Sequence, residues 1–211
     1  MTRRELLSIA KPIPMKSWEV QAILKDQKSS IRLVMKPQPI YLNGFWWHGA
    51  ARWSEEIKTI HPIYGHRLYN RIPYKPGDYL YVRETWRPLC AWRGSYSGCE
   101  VEYKAGGKQR FNEVLFVPKQ NEPEPWHPSI HMPKEAARIF LRVTDVRVER
   151  LHQILNDPPG PQNQTVREGF RYDCDFVAVW DRTVKPKDRD KYGWDANPWV
   201  WATEFEQVEV E

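Results

Sequence analysis

Lys28, Ser29, Ser30 and Arg32 crowd into the turn of the stretch Val20–Pro39, between an apolar helical pattern and an apolar strand pattern. An ammonium, a guanidinium and two hydroxyls at such a turn suit a ligand with an anionic group or a carbonyl oxygen. Arg83 and Glu84 are neighbours in the alternating run Tyr79–Trp86, so their side chains leave a strand on opposite faces. Each is open to two roles, an ion pair within the fold or a ligand contact. His131, within Ser129–Met132, is either a pocket-lining imidazole or a satisfied structural histidine. Trp86, Trp199 and Trp201 are core residues by default; at the mouth of a cavity, an indole stacks on a base for about 1–3 kcal/mol.

The elements that position these residues follow from periodicity and breakers. Pro12 and Pro14 make residues 1–15 an extended lead-in. Ser17 is a candidate cap for a short helix through Lys25, with Val20, Ile23 and Leu24 on its apolar face. Ile31–Met35 reads as a strand that Lys36-Pro37-Gln38-Pro39 ends. If the chain is already extended at Ser29, then Ser29 and Ile31 share the pocket face and Ser30 points away. Residues 40–72 are dense in aromatics and His without a clear period. They read as an insertion around the core, with a short strand near 45–47, whose aromatics either pin a long loop or form a stacking surface for bases. The turn Gly106-Gly107 suggests a hairpin pairing Val101–Tyr103 with Glu113–Val117. Arg138–Arg150 alternates as a long strand, and Trp199–Phe205 as another. Thr165 is a candidate cap for a helix through Glu168-Gly169-Phe170 and on to Trp180. Asp145, Glu149 and the charges between 181 and 195 read as solvated surface.

Composition narrows the class. At 211 residues, 41% hydrophobic and 28% charged, the chain has the make-up of a globular protein. Eleven Trp and 18 Pro point to a β-rich, loop-rich body whose aromatics supply much of the buried area. No apolar run reaches the roughly 20 residues that span a bilayer, and the first 15 residues lack the apolar core of a signal peptide. The expectation is a cytoplasmic protein with no membrane contact. Cys90, Cys99 and Cys174 lack CxxC spacing; Cys90 and Cys99 could meet across a hairpin, but free thiols are the expected state. None of the six His lies at ligand spacing from a Cys pair, so neither metal nor cofactor is expected. A net charge of +5 leans toward a polyanionic partner, though a charge of this size also serves solubility.

Taken together, several stretches resemble the ASCH family. Ala22–Pro39 runs parallel to the phage-type pattern of a helix followed by a lysine-, threonine- and arginine-bearing segment and a Lys-Pro-Gln-Pro exit. Gly77-Asp78, Val82–Trp86, Pro128–Pro133, Val146–Leu151, Glu168-Gly169 and Asp195–Trp201 follow in order, so the likeness spans nearly the whole chain. The resemblance implies an α+β fold: a PUA-like ASCH β-barrel of about six mixed strands with short helices and long loop insertions. The chain would then be one domain, with a core of about 13–39, 74–87, 138–180 and 197–208, and insertions of about 40–72 and 88–125.

Some family members are similar to amidohydrolases that remove an acyl group from N4 of cytidine derivatives with a Lys, the Thr three residues later, and a distant Glu. Lys28 falls on the lysine and Glu168 on the glutamate; the threonine position is Ile31. A lysine acts as a base only when burial or a neighbouring cation lowers its pKa toward 7–8 from about 10.4. A charged Lys28 paired with Glu168 and binding a ligand is the reading preferred here. Three functions follow. The first is binding of nucleic acid, or of a nucleoside or nucleotide ligand, through Lys28, Ser29, Arg32, Arg83, Glu84, Trp86, His131 and Glu168. The second is hydrolysis of N4-acylcytidine-type substrates by Lys28 and Glu168. The third is a phage-related accessory role in which the Trp-rich 40–72 segment binds a protein partner.

Overall fold

Prolines at 12 and 14 do not keep the first residues extended, because Thr2 opens a capping box. Its hydroxyl accepts from the Glu5 amide (3.3 Å) and the Glu5 carboxylate accepts from the Thr2 amide (2.8 Å), starting α1 (Arg3–Ile9). The prolines then lie in β1 (Lys11–Pro14), and α2 (Ser17–Leu24) follows. The computed structural model describes residues 1–62, 66–89, 99–111, 125–156 and 163–210. Its further strands are β2 (Ser30–Val34), β3 (Ile40–Leu42), β4 (Phe45–His48), β5 (Ala51–Ser54), β6 (Thr59–Ile60), β7 (Tyr79–Arg83), β8 (Trp86–Leu89), β9 (Cys99–Tyr103), β10 (Lys108–Phe111), β11 (Phe140–Arg150) and β12 (Trp199–Val208). The remaining α-helices are α3 (Gln164–Arg167), α4 (Asp173–Thr183) and α5 (Arg189–Tyr192).

The chain divides into two compact units: Met1–Asp26 with Asp78–Arg142 and Gln207–Glu211, and Gln27–Gly77 with Val143–Glu206. In the first unit, β1 runs parallel to β7 with Ile13 opposite Val82, and the start of β11 pairs antiparallel to β7 with Phe140 opposite Tyr81. A second sheet, in the order β10-β9-β8, is joined by the Gly106-Gly107 turn, both glycines at positive φ. The partner of β9 is therefore Lys108–Phe111; Glu113–Val117 lies outside the described residues. Leu6, Tyr81, Trp86, Val101, Tyr103, Met132 and Phe140 form the core of this unit.

In the second unit, the rest of β11 pairs with β6, with Val148 opposite Ile60; β12 lies beside β11, and β2 pairs antiparallel to β12 with Ile31 opposite Thr203. Val34 and Val200 pack with Leu151, Ile154, Phe176 and Trp180. Residues 40–54 form a three-stranded meander in the order β3-β4-β5. Its first turn is Asn43-Gly44, with φ of 52° and 80°, the two left-handed positions of a two-residue hairpin.

The expected barrel is not found among the described residues: they form three separate sheets, none of which closes on itself. Closure requires every strand to have two neighbours. Among the described residues, β1 pairs only with β7 and β2 only with β12. The barrel is what the ASCH resemblance implies, and short motifs and alternation fix which residues share a face but not which strand lies alongside. The mixture of helices and strands is retained. Among the described residues, no helix is long and apolar enough to cross a membrane.

Candidate functional site

After α2 the chain reverses through Asp26, which takes a left-handed φ of 55°. Backbone bonds then fix the next residues. Lys28 forms an isolated bridge with Glu168, the Ser29 amide donates to the Arg167 carbonyl (2.8 Å), and the Phe205 amide donates to the Ser29 carbonyl (2.9 Å). Facing this segment is α3, which is capped by Asn163 rather than Thr165. The Asn163 side chain accepts from the Thr165 and Val166 amides at 2.8 and 3.4 Å. The helix ends at Glu168 because Gly169 takes φ 92°, and α4 begins only at Asp173. Gln164 and Glu168, four residues apart, share a helix face.

That face meets β2. The Lys28 ammonium donates to the Glu168 carboxylate (2.9 Å) and to the Glu168 carbonyl (3.1 Å). The Arg32 guanidinium spans the gap between two carboxylates, Glu168 at 2.9 Å and Glu149 of β11 at 2.8 Å, and also donates to the Gln164 side-chain carbonyl. Side-chain exposure is 1% for Lys28 and Arg32, 2% for Glu149 and 4% for Glu168. Two cations and two carboxylates are thus removed from water together. The ion pairs continue outward through Arg147, which reaches Glu149 (3.5 Å), Asp145 (3.0 Å) and Glu204. Arg167 closes the series with two bonds to Glu204 at 2.8 and 2.6 Å and one to the Ser29 hydroxyl at 3.3 Å. Burial alone raises the Glu204 carboxyl, but bonds from Arg167 and Arg147 outweigh it and hold the group below the ordinary carboxylate range.

Beside this network are polar atoms with no hydrogen-bond partner among the described residues: Arg32 Nε, Ser30 Oγ and Thr165 Oγ1, all buried. Ser30 and Arg32 occupy one face of β2; Ile31 occupies the other, across from Thr203. The expected pocket face, that of Ser29 and Ile31, is not the one that carries Arg32 into the network. The strand begins at Ser30, and its charged face is that of Ser30 and Arg32.

Of the remaining candidates, Arg83, Glu84, Trp86 and His131 belong to the first unit and Trp199 and Trp201 to the second. The Glu84 side chain is fully buried, bound at 2.8 Å through each oxygen by the Arg138 guanidinium, which also covers the Tyr103 ring at 4.1 Å. Burial raises the Glu84 carboxyl, and the Arg138 bonds pull it back only in part. Arg83 donates to the Ile130 carbonyl (3.2 Å) and lies over Tyr81. Trp86 is buried and stacks on His127 at 5.1 Å. His131 is exposed at the end of a single helical turn, Ser129–His131. Trp199 and Trp201 are buried. Cys174 is a free, exposed cysteine, and Cys90 lies outside the described residues.

Sequence reasoning missed Glu149, Arg147, Gln164, Arg167 and Glu204. Glu149, read as solvated, is nearly inaccessible. A signal existed: Asp145, Arg147 and Glu149 alternate in sign along one face of a single strand. Among the described residues, no group of three His, Cys, Asp or Glu is placed to hold a metal ion. No family model matches the chain, no curated protein matches it, and no solved structure matches it.

Proposed function

We propose that the second unit binds a nucleotide, either a modified nucleoside or a residue of a nucleic acid, at the Lys28–Glu168–Arg32–Glu149 network, as the likeness of Ala22–Pro39 to ASCH proteins suggests. The observation that carries this reading is the buried Arg32 guanidinium, held by two carboxylates and capped by the half-buried, neutral Gln164. Desolvating four charges costs several kcal/mol per ion, so well-packed apolar side chains would serve stability as well or better. A ligand gives the polar set a reason. Its carbonyl or phosphate oxygen replaces the Gln164 amide on Arg32 without breaking an ion pair. Arg32 Nε, Ser30 Oγ and Thr165 Oγ1 supply further bonds to the donor and acceptor edge of a base.

Titrating the protein with cytidine 5′-monophosphate, N4-acetylcytidine and a single-stranded 12-mer, followed by tryptophan fluorescence and calorimetry, tests it. Arg32→Lys keeps the charge but loses the planar fork and lowers affinity at least tenfold. Gln164→Glu sets a carboxylate on Arg32 and competes with the ligand. Binding unchanged in both variants, or no binding of any probe, refutes the reading.

A second reading, amide hydrolysis, is favoured by the Lys28 Nζ to Glu168 Oε2 separation of 2.9 Å, within reach for proton transfer. Release of acetate and cytidine from N4-acetylcytidine, abolished in Lys28→Met, is its signature. Binding without turnover leaves the first reading alone.

A further inference from the structure

The outward face of the β3-β4-β5 meander is a patch the network does not use. Strand register puts Ile40, Trp47 and Arg52 in one row across the three strands and Leu42, Phe45 and Ser54 in the next, all on the same face. The opposite face carries Tyr41, Trp46 and Trp53, and packs Trp46 and Trp53 against Trp199 at 5.6 and 5.2 Å. The sheet is anchored from behind, which leaves the outward rows in solvent: Ile40 is 65% exposed, Leu42 54% and Phe45 36%. The Arg52 guanidinium lies over both the Phe45 ring (5.1 Å) and the Trp47 ring (5.5 Å). The Trp47 indole donates to the Leu42 carbonyl at 3.3 Å, which fixes its plane. These two rows carry a cation and no carboxylate; nearby Glu55 is bound by Tyr41, a residue of the opposite face, at 3.1 Å.

We infer that this face is a base-stacking platform for single-stranded nucleic acid, an inference that rests on the nucleotide reading above. Two rings on one strand, two residues apart, stand about 7 Å from each other, and the two rows span about 10 Å across three strands. That area accepts two or three bases, as on the aromatic sheet faces of single-strand RNA readers. A guanidinium stacked on rings offers a flat surface to a base and a positive charge to its phosphate at once. The net charge of +5 favours a polyanion as the occupant of this carboxylate-free face.

Binding of fluorescein-labelled dT12 and U12, read by anisotropy in 50 and 200 mM salt, tests the inference alongside cytidine 5′-monophosphate as the probe of the Arg32 site. Phe45→Ala/Trp47→Ala removes two rings and weakens the oligomers by about thirtyfold or more, since each stacked base contributes about 1–3 kcal/mol. It leaves mononucleotide affinity intact. Arg52→Ala weakens the oligomers and lowers the salt slope by about 0.7, the share of one single-strand phosphate. Circular dichroism and the urea midpoint establish that the variants fold. Oligomer affinity unchanged in Phe45→Ala/Trp47→Ala overturns the platform while mononucleotide binding still stands. Wild-type protein that binds neither probe overturns both. Self-association of the wild-type chain that these substitutions abolish, without oligomer binding, assigns the face to protein contact and overturns the inference.

Discussion

Replacing Glu168 by Gln tests the charge balance of the buried network. The substitution keeps shape and volume. It removes the carboxylate that holds both Lys28 and Arg32 at 2.9 Å. Of the four innermost groups, two cations then face the single carboxylate of Glu149. Removing one partner of a buried pair costs about 3–5 kcal/mol, a large share of a total stability of about 5–15 kcal/mol. In a chain of this size that lowers the melting temperature by about 6–20 °C. The decisive comparison is Lys28→Met/Glu168→Gln. The double variant leaves Arg32 facing Glu149, one charge of each sign. It is therefore more stable than Glu168→Gln alone, although it carries one substitution more. The assay is the urea midpoint, read by tryptophan fluorescence; Trp180, Trp194, Trp199 and Trp201 all belong to this unit. A double variant that falls below the single one by the full cost of Lys28→Met would falsify the claim that charge balance governs the network.

Acid weakens the second unit through Glu204. Its folded pKa is depressed, so its contribution is present above the unfolded value of about 4.3 and is lost as pH falls below that toward the folded value. Stability measured from pH 7 to pH 3 falls less steeply below about pH 5 in Glu204→Gln than in wild type. Glu84 has the opposite sign: its folded pKa is raised, so its contribution is full below about pH 4.3 and is lost as pH rises through the folded value. In Glu84→Gln that particular loss on raising pH disappears, which a pH series of urea midpoints detects. Arg138→Ala strands the fully buried Glu84 carboxylate and costs about 3–5 kcal/mol at pH 7, a cost that shrinks as the carboxyl takes up a proton in acid. Gly169→Ala forces a Cβ into a left-handed position directly after Glu168, costs about 1–2 kcal/mol, and weakens nucleotide binding measured by calorimetry.

Local patterns carried a good part of the architecture into the sequence. The alternation of Arg138–Arg150 and Trp199–Phe205 found β11 and β12, and the spacing of Val20 and Ile23 found α2. Lys28, Arg32 and Glu168 were each nominated, and the structure brings these three into direct contact. What was not legible depended on partners distant in sequence. Glu149 looks like any surface glutamate until Arg32 and α3 cover it, and Glu84 looks like a ligand contact until Arg138 covers it. The meander at 40–54 was hidden for a different reason. Along β3 and β4 both faces are apolar or aromatic, so the alternation of polarity that marks a half-buried strand cancels. The barrel, which the ASCH resemblance implied, failed because short motifs and periodicity carry no information about which strands pair. The helix α1 was masked by the weight given to two prolines that lie beyond its end.

Lys28 and Glu168 stand 140 positions apart in the chain. A growing polypeptide therefore carries Lys28 and Arg32 through 117 further residues before Glu149 is made, and Glu168 comes later still. β2 likewise waits for β12, its hydrogen-bonded neighbour. Contacts of such long range form late and slowly. During that interval an exposed strand edge next to two uncompensated cations is open to other chains and to polyanions. The buried network of the second unit thus sets the order of its folding: it is complete only once the segment through Glu204 has emerged and closed over β2.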